Sequence, residues 1–439
     1  MRLKYLHLEN IGPFIEADLE FIPEGEATPV TLITGENGTG KSILLEAIRG
    51  MFGPQYTLLE RDLRRRGAEQ SANIQIKLDF EDAELEVQQD YELDSVRISD
   101  NQVKARNVKT QENLLASLPT HVQNGGKCPN WIVDYWPSVA ATGTYKVDNL
   151  KSPNHKSVLN NSLTADRTKS DVTQLICHFD YLRSSEDPAE REVGQRLYDL
   201  MGDFISRSLL DGGRFSHVAR STYEPIVVQN GVQVGLANLS SGNSYLIQSL
   251  IGLLGKMYSV AQLRGDNSSE LTNIPGLLLI DEAENQLHPK WQKRLIPMIL
   301  EFFPNLQIIA ATHSPFIISS VENARLFVCK SEIDHCVVVD ESAQYSNRPI
   351  DEILLSPLFG ETQPFNQEIS ALLENRRIAI AQGNQKERLQ IESELKTLNP
   401  TYFAFLDLDK LMASVLNGKG HNDSPKTSPR ASNLNAKKG

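Results

Sequence analysis

The segment that decides the fold reads TLITGENGTGKSILLEAI and runs from residue 31 to residue 48. An apolar, β-branched run from Val30 to Thr34 stops at Gly35, and apolar residues at helical spacing begin with Leu44. A strand, a glycine-rich loop and a helix in this order are the context of the P-loop, whose G-x-x-x-x-G-K-[ST] spacing is met in full. The segment therefore predicts a nucleotide-binding loop rather than an ordinary glycine turn.

The loop residues are suited to phosphate chemistry. The glycines of this loop let backbone N–H groups surround phosphates at the positive end of a helix dipole. We expect Lys41 to reach the terminal phosphates of ATP, and the Ser42 hydroxyl to bind Mg²⁺. The predicted nucleotide-binding residues are Gly35, Glu36, Asn37, Gly38, Thr39, Gly40, Lys41 and Ser42.

Length and composition limit the class of protein. With 439 residues the chain is too long for one ordinary core, so we expect a main domain with an insertion or two to three domains. No apolar run approaches the roughly 18 residues of a membrane span, and the N-terminal MRLKYLHLEN lacks the core of a signal peptide. These features predict a cytoplasmic protein with no membrane partner.

Cysteine usage and net charge exclude two further classes. Cys128, Cys177, Cys329 and Cys336 have no C-x-x-C spacing, so neither a disulfide framework nor a zinc site is indicated. The net charge of -12 argues against a protein that coats nucleic acid through general attraction. Local patches could still bind DNA.

The N-terminal third has a β pattern around the P-loop. Residues 2–9 and 15–21 alternate between apolar and polar side chains, and strict alternation returns at residues 74–80. The opening ENIGPF, followed by a second strand and GENGTGKS, resembles the RecF/SMC branch of the ABC ATPases. This resemblance implies an α/β fold: an ABC ATPase head with a P-loop mixed sheet, an antiparallel β-subdomain, an inserted helical lobe and a small C-terminal helical region.

The middle of the chain carries less periodicity. Trp131, Tyr135 and Trp136 form a dense aromatic cluster that favours a small satellite core over a base-stacking surface. From Asp187-Pro188 to Leu209 the pattern predicts one long amphipathic helix, which ends near Gly212-Gly213. Proteins of the SMC type have long coiled coils in this interval, whereas this chain has no sustained heptads. The resemblance therefore implies that this arm is missing or reduced to a short lobe.

A second motif opens an apolar helix after a predicted hairpin with the turn Asn230-Gly231. Taken alone, Leu239-Ser240-Ser241-Gly242 is equally well explained as a simple helix N-cap. Its place between the P-loop and a later acidic pair makes it resemble the ABC signature. That resemblance implies that Ser240, Ser241 and Gly242 offer N–H and hydroxyl groups to a γ-phosphate.

The acidic pair follows the apolar strand GLLLI, residues 276–280, which is typical of a parallel sheet buried on both faces. As a Walker B motif it implies Asp281 near Mg²⁺ and Glu282 near the attacking water as general base. A further apolar strand, 306–311, precedes His313, which resembles the ABC switch histidine. The predicted catalytic residues are thus Glu282, His313 and Lys41, and the predicted metal ligands are Ser42 and Asp281. Residues 326–329 and 336–339 are predicted to complete the sheet edge.

Some polar residues leave alternatives open. The segment 285–292, NQLHPKWQ, resembles the ATPases related to OLD proteins, and His288 in it is favoured as a structural cap over a catalytic group. Gln55 is a candidate for the Q-loop glutamine by order alone. The four arginines within residues 61–66 are either a solvated face or a phosphate contact.

The C-terminal part predicts short helices and then a disordered tail. Asp407 and Asp409 are interpreted as a helix surface, so no nuclease centre is identified. The predicted domains are 1–99, the N-terminal lobe of the head with the P-loop; 100–225, an inserted lobe of loops and a long helix; 226–345, the C-terminal lobe of the head; 346–417, a helical region; and 418–439, the tail.

The family places ATP between two heads, so the resemblance implies a homodimer or higher homo-oligomer. A compact head without coiled coil resembles the ATPase subunits of bacterial anti-phage systems, with the Septu ATPases nearest in layout and the PARIS ATPases second. In that interpretation the chain is a nucleotide-gated sensor or scaffold for a separate effector nuclease, of the HNH type, or toxin. The alternatives are a RecF-like ATP-dependent DNA-binding repair protein and an OLD-type ATP-regulated nuclease.

Overall fold

The computed structural model of the chain describes a large N-terminal part and a small C-terminal part. The described residues are 1–23, 29–52, 63, 65, 72–80, 83–91, 104–107, 128, 130–139, 141–163, 168–209, 212–265, 270–360 and 365–406. The chain falls into two compact units, Met1–Glu361 and Thr362–Gly439.

A mixed sheet of eleven described strands is the centre of the first unit. Its strands are β1 Arg2–Ile11, β2 Phe14–Glu20, β3 Val30–Gly35, β4 Ala72–Phe80, β5 Ala83–Tyr91, β6 Lys104–Asn107, β7 Ile132–Trp136, β11 Gly276–Ile280, β12 Leu306–Ala311, β13 Arg325–Ser331 and β14 Cys336–Asp340. A separate antiparallel sheet contains β8 Arg214–Ala219, β9 Glu224–Gln229 and β10 Val232–Gly235. The order in the large sheet is β6-β5-β4-β1-β2-β14-β13-β3-β12-β11-β7.

The large sheet has a parallel half and an antiparallel half. Strands β13, β3, β12, β11 and β7 run parallel to one another, whereas β1, β2, β4, β5 and β6 pair antiparallel. Every residue of β3, β11 and β12 is buried, as expected for parallel strands covered on both faces. Because parallel strands end at the same edge, the residues after β3, β11 and β12 meet there.

The helices of the first unit cover both faces of this sheet. They are α1 Lys41–Phe52, α2 His155–Asn160, α3 Lys169–Leu182, α4 Pro188–Arg207, α5 Ser241–Arg264, α6 Pro289–Phe302, α7 Pro315–Ile318, α8 Ser342–Tyr345 and α9 Ile350–Leu354. Apolar residues of α1 pack with β1, β2 and β4 in one cluster, and those of α3 to α6 form a second cluster. Helix α5 is buried along most of its 24 residues, which explains why its sequence is apolar nearly all round.

Most local predictions agree with these elements, and the α/β fold class is confirmed. Leu6 of β1 lies opposite Leu19 of β2 in the predicted antiparallel pair. The hairpin β9–β10 turns through Asn230 and Gly231, whose φ angles of 52° and 78° are the left-handed values that such a turn needs. Helix α4 begins at its predicted Asp187 cap and ends at Arg207.

The predicted position of the strands 326–329 and 336–339 is wrong. Strand β13 pairs with β3, and β14 pairs with β13 and β2, so both lie inside the sheet. The edges of the described sheet are β6 and β7 instead. The reason is that the N-terminal hairpin attaches beyond β14, where Cys336 pairs with Phe14.

The aromatic cluster belongs to the main cores and to no satellite core. Ile132–Trp136, within a range predicted as loops and a long helix, forms β7 and pairs in parallel with β11. Trp136 is fully buried and its ring packs edge-on against Tyr245, while Trp131 packs against Phe52. These rings stabilise the fold, so the base-stacking alternative is wrong.

The second unit contains the helices α10 Gln367–Ala381 and α11 Gln385–Leu398, as the helical prediction for this part requires. Its small core contains Ile391, Leu395, Phe403 and Leu406. Buried Glu392 accepts hydrogen bonds from Arg376 and Arg388, which compensate its charge. Neither unit has, among its described residues, a helix long and apolar enough to span a membrane.

Candidate active site

The P-loop leaves β3 through backbone conformations that favour glycine. Gly35, Gly38 and Gly40 have φ angles of 138°, 85° and 98°. A Cβ atom on Gly35 would lie 2.2 Å from the Cys329 carbonyl oxygen, and one on Gly40 would lie 2.6 Å from the Phe14 ring. Strands β13 and β2 thus lie so close to the loop that Gly35 and Gly40 leave no room for a side chain.

Lys41 lies folded back onto this loop. Its Nζ donates to the carbonyl oxygens of Gly35 at 3.0 Å and Glu36 at 2.8 Å, and the side chain is only 8% exposed. Burial lowers the pKa of Lys41, although the neighbouring carboxylates of Glu284, Asp281 and Glu282 oppose that shift. The loop therefore holds an ammonium group where an anionic ligand would meet it.

Ser42 and Asp281 connect the first turn of α1 to the end of β11. The Ser42 Oγ donates to Asp281 Oδ1 at 2.9 Å. Burial raises the pKa of Asp281, and the charges of Glu46 and Glu284 add to that effect, while the Ser42 bond partly offsets it. Two adjacent oxygen atoms of this kind are the hard ligands that Mg²⁺ prefers. The residues present fit the predicted metal.

Glu282 follows Asp281 in a strained backbone conformation. Its φ angle of 47° lies in the left-handed region, which costs a residue with a side chain roughly 1–2 kcal/mol. Partial burial and the carboxylates of Asp281 and Glu284 raise the pKa of Glu282, and Lys41 acts in the opposite direction. A carboxylate with a raised pKa is a better proton acceptor, and this one is exposed at the edge where the strands end.

Glu284 is a site residue that the sequence predictions missed. Its Oε2 accepts from the Thr312 hydroxyl at 2.6 Å, and its Oε1 accepts from the His313 backbone N–H at 2.8 Å. Ala283 N–H also donates to the Ala311 carbonyl at 3.0 Å. The loop after β11 thereby holds the loop after β12. The sequence did carry a signal for this role. A further carboxylate stands two residues after Glu282, close enough to lie at the same edge of the sheet.

Hydrogen bonds from Gln292 fix the segment after His313. Gln292 donates to the Leu287 carbonyl at 2.8 Å and accepts from the Ser314 hydroxyl at 2.6 Å. Ser314 in turn accepts from the N–H groups of Phe316 and Ile317 and so caps α7. His313 is therefore held on both sides by groups from the loop after β11 and from α6.

The imidazole of His313 itself has no hydrogen bond to any described residue. Burial and the charge of Lys41 lower its pKa, while Glu284 opposes the shift. The ring is therefore neutral at pH 7, with one nitrogen able to donate and the other able to accept.

The signature segment lies at the start of α5. Ser240 caps the helix by accepting from Asn243 N–H at 3.3 Å, and Ser240 and Ser241 are exposed. A Cβ atom on Gly242 would lie 2.6 Å from the Gln286 carbonyl oxygen, so this helix start packs directly against the loop after β11. Gln286 has a left-handed φ of 60° at that contact.

The predicted residues therefore form two groups. Lys41, Ser42 and Asp281 are joined by charge or hydrogen bonds, and Glu282 and His313 lie within the electrostatic reach of Lys41. In the part of the chain that the structure describes, no hydrogen bond joins Ser240–Gly242 to Gly35–Ser42. One chain thus contains both parts of the predicted site, but no hydrogen bond joins them within the described residues.

The remaining candidates have structural roles or lie outside the described residues. His288 Nδ1 accepts from Lys290 N–H at 3.3 Å and caps α6, as its structural interpretation predicts. Arg65 donates to the carbonyl oxygens of Pro13 and Asp334. The positions outside the described residues are Gln55, Arg61, Arg64, Arg66, Asp407, Asp409 and 418–439. Trp136 at the end of β7 accepts a hydrogen bond from the Asp281 N–H, and residues 137–139 after it include no glutamine.

Two family models match the chain. The first, described as "AAA domain", matches residues 5–175. The second, described as "AAA domain, putative AbiEii toxin, Type IV TA system", matches residues 152–319. The two matches together include the P-loop, the signature segment, the Walker B strand and His313.

Similar proteins carry related names. The chain is 27% identical to "Septu protein PtuA" of Bacillus thuringiensis, over 80% of this chain and 83% of that protein. It is 22% identical to "Retron Vc95 probable ATPase" of Vibrio cholerae serotype O1 biovar El Tor, over 54% of this chain and 45% of that protein. A solved "SMC head domain from Thermotoga maritima" is 17% identical, covers 77% of this chain and 99% of its own, and superposes with a TM-score of 0.43.

Proposed function

We propose that this chain is an AAA-family ATPase of the ABC class, similar to Septu PtuA, that binds and hydrolyses ATP in antiviral defence. The observation that carries the proposal is the Ser42–Asp281 hydrogen bond beside a glycine loop that holds Lys41. These groups are the donors and acceptors that a metal-bound triphosphate requires.

In this proposal the P-loop N–H groups and Lys41 bind the β- and γ-phosphates. Lys41 exchanges the carbonyl oxygens of Gly35 and Glu36 for phosphate oxygens, so its charge meets an anion without a new conformation of the loop. Ser42 and Asp281 hold Mg²⁺, which neutralises phosphate charge when it is bound.

Glu282 orients the attacking water and accepts its proton. Water oxygen forms a bond to the γ-phosphorus, the bond from that phosphorus to the β–γ bridging oxygen breaks, and ADP and phosphate result. The raised pKa of Glu282 suits this role because the carboxylate then takes the proton more readily. The neutral His313 ring donates to the γ-phosphoryl oxygen, and Glu284 fixes its position through the backbone.

A second copy of the chain completes the site. Ser240, Ser241 and Gly242 present a helix N-terminus, yet they make no hydrogen bond to the P-loop of their own chain within the described residues. We infer that they contact the γ-phosphate on a partner chain, so that ATP lies between two heads. ATP binds first to the P-loop of one chain, and dimerisation follows.

The dimer in turn acts as a nucleotide-gated scaffold or sensor for a separate effector, an HNH nuclease or toxin. The similarity to Septu PtuA over most of both chains supports this role. The gate works because hydrolysis removes the γ-phosphate that the two heads share, and it therefore changes the free energy of their association.

Two variants test the ATPase. Lys41→Ala should lose ATP binding, whereas Glu282→Gln should keep ATP binding, lose turnover by about 100-fold or more and accumulate dimers. Nucleotide titration, phosphate release and light scattering measure the three properties. Equal turnover in both variants and the unaltered chain would refute the assignment of roles.

Phage infection tests the defence role. Cells that express this chain with its neighbouring genes should reduce plaque formation, and Lys41→Ala should abolish the protection. The neighbouring gene product should also co-purify with the chain in one nucleotide state more than in the other. Full protection by Lys41→Ala would show that ATP does not gate the system.

A further inference from the structure

Strand β7 lies between the P-loop helix α1 and α5, the helix that begins at the signature segment. Neighbouring side chains of a strand point to opposite faces, so Tyr135 faces α1 while Asp134 and Trp136 face α5. The Arg49 Cζ atom of α1 lies 4.7 Å from the centre of the Tyr135 ring. Because β7 is an edge of the described sheet, backbone pairing with β11 holds it on one side only. Its position therefore depends on the helices that pack against it.

Helix α5 contacts β7 at two places. Tyr245, in the second turn of α5, packs edge-on against Trp136, with the ring centres 6.4 Å apart and the planes at 86°. Lys256, about three turns further along α5, forms a buried ion pair with Asp134. Asp134 also accepts from the Trp136 indole N–H at 3.0 Å. Both contacts therefore hold the fully buried Trp136 side chain in place.

Trp136 also contacts the metal site. It is the last residue of β7, and its backbone carbonyl accepts from the Asp281 N–H at 2.9 Å. Asp281 in turn accepts from the Ser42 hydroxyl, its partner in the proposed Mg²⁺ site. Trp136 thus contacts the signature helix through its side chain and the metal site through its backbone.

We propose that Tyr245 is a positioning residue for the metal-binding Asp281 and acts on it through Trp136. Protein interiors are close-packed, so removing the Tyr245 ring lets the indole of Trp136 move into the space, and the end of β7 moves with it. Mg²⁺ accepts little displacement of its ligands, because it requires near-ideal octahedral geometry with distances of about 2.0–2.1 Å. A shift that leaves the fold intact is therefore enough to weaken metal binding.

The inference rests on the proposed function, because it takes Asp281 as a metal ligand. In the proposed dimer, the start of α5 contacts the phosphate on the partner chain, while Asp281 serves the ATP on its own P-loop. Contact with the partner's phosphate then also supports the metal ligand of the chain that makes the contact. The effect of Tyr245 on Asp281 itself lies within one chain and is testable there.

Manganese binding tests the inference in the full chain. Ser240→Arg serves as the background, because it prevents the proposed dimer and so removes any effect of Tyr245 on the dimer contact; light scattering checks that the chain is monomeric. Electron paramagnetic resonance of Mn²⁺ measures the metal affinity in the presence of a non-hydrolysable ATP analogue. Tyr245→Leu should weaken Mn²⁺ binding at least fivefold, and the affinity for the analogue without metal should change less than twofold.

Control variants separate positioning from general damage. Tyr245→Phe keeps the ring and should bind Mn²⁺ within twofold of the background. Tyr258→Leu changes a similarly buried tyrosine of α5 whose ring packs against His178 and Phe179 of α3. It should lower the melting temperature and leave the Mn²⁺ affinity within twofold. If Tyr245→Leu does not fold, Trp136→Phe tests the same link and should weaken Mn²⁺ binding at least threefold.

Turnover gives a second measurement in the chain with Ser240 intact. Tyr245→Leu should lower kcat at least fivefold at limiting Mg²⁺, with KM for ATP changed less than twofold. Excess Mg²⁺ should restore kcat to within twofold of the unaltered chain, because the weakened site is then filled. A loss of kcat that excess Mg²⁺ does not restore would indicate general damage and would overturn the inference.

Asp281→Ala separates this inference from the ATPase proposal. If Asp281→Ala leaves Mn²⁺ binding unaltered, the proposed metal site is wrong and the inference fails with it. If Asp281→Ala abolishes Mn²⁺ binding but Tyr245→Leu has no effect, only the inference is overturned. The same holds if Tyr245→Leu weakens Mn²⁺ binding no more than Tyr258→Leu does.

Discussion

The two parts of the candidate site differ in how completely one chain holds them. At the P-loop part, hydrogen bonds within the chain hold every group in place: Lys41 bonds its own loop, Ser42 bonds Asp281, and the His313 N–H bonds Glu284. At the signature part, Ser240 is satisfied only by its own helix, and Ser241 is exposed beside it. In the proposed dimer, the part that its own chain organises would bind ATP first, and the signature part would contact the phosphate on the second chain.

The arrangement of strands explains the difference. Strands β3, β12 and β11 are parallel neighbours, so their following loops are brought together by the sheet itself. The signature segment follows the hairpin β9–β10, which belongs to a separate sheet. It meets the P-loop edge through helix packing instead, with Gly242 against Gln286 and Tyr245 against Trp136 of β7.

The largest expected effect comes from dividing the two parts between chains. Lys41→Ala and Ser240→Arg should each reduce ATP turnover to near zero, the first by losing ATP and the second by blocking the partner's phosphate. Mixed in equal amounts, they should recover about a quarter of the wild-type rate, because half of random dimers are mixed and each has one intact site. Steady-state phosphate release measures the recovery.

Control variants sharpen this complementation. Ser240→Arg alone should still bind ATP with nearly unaltered affinity, because the P-loop part is complete in its own chain. A chain carrying both substitutions, mixed with Ser240→Arg, should show no recovery. Recovery of activity in that mixture, or none in the first, would contradict a site shared between two chains.

A smaller effect is expected at Glu284, which joins the loops within the P-loop part. Glu284→Ala removes two hydrogen bonds to a charged acceptor and should lower kcat about 30-fold, with KM for ATP changed less than about threefold. Glu284→Gln should recover part of the loss because it keeps one acceptor oxygen. The separation of kcat from KM distinguishes positioning of His313 from general damage to binding.

The matched control for Glu284 is Glu322→Gln, an exposed position that should leave kcat and KM unaltered. An equal loss in Glu284→Ala and Glu284→Gln would indicate that the charge itself, and not the hydrogen-bond geometry, is required. No loss in either variant would remove Glu284 from the site.

The smallest effect concerns the pH dependence of folding stability, through the buried His178 of α3. Burial and the nearby His155 lower the pKa of His178 to about 4, while Glu190 opposes the shift. The unfolded chain therefore takes up a proton near pH 6.5, before the folded chain does, and stability falls as the pH drops from about 6.5 to about 4. The shift corresponds to about 3 kcal/mol in the free energy of unfolding.

Thermal melts from pH 7 to pH 4 measure this loss. His178→Phe should flatten the pH dependence in that window, since the variant has no group to protonate there. His217→Gln, at an exposed histidine, should retain the wild-type slope. Parallel slopes for His178→Phe and the unaltered chain would contradict the lowered pKa.

Particular residues show how far local sequence could predict this molecule. The P-loop, the strand before Asp281 and the hairpin at Asn230-Gly231 were predictable, because each depends on spacing within a few residues. Strand β7 was not, since five buried residues in an irregular context carry no period that distinguishes them. The interior position of β13 and β14 was missed because strand order depends on distant pairings such as Cys336 with Phe14.

The predicted phosphate chemistry follows from local spacing, because glycine, lysine, serine and carboxylate side chains at these positions leave few alternatives to a bound phosphate. Which groups share an edge of the sheet follows from the fold instead. The fold places Glu284 against Thr312 and His313, and it packs Gly242 at the start of the signature helix against Gln286. The physical reason is that these relations depend on sheet order and helix packing between residues far apart in the chain, which no local pattern encodes.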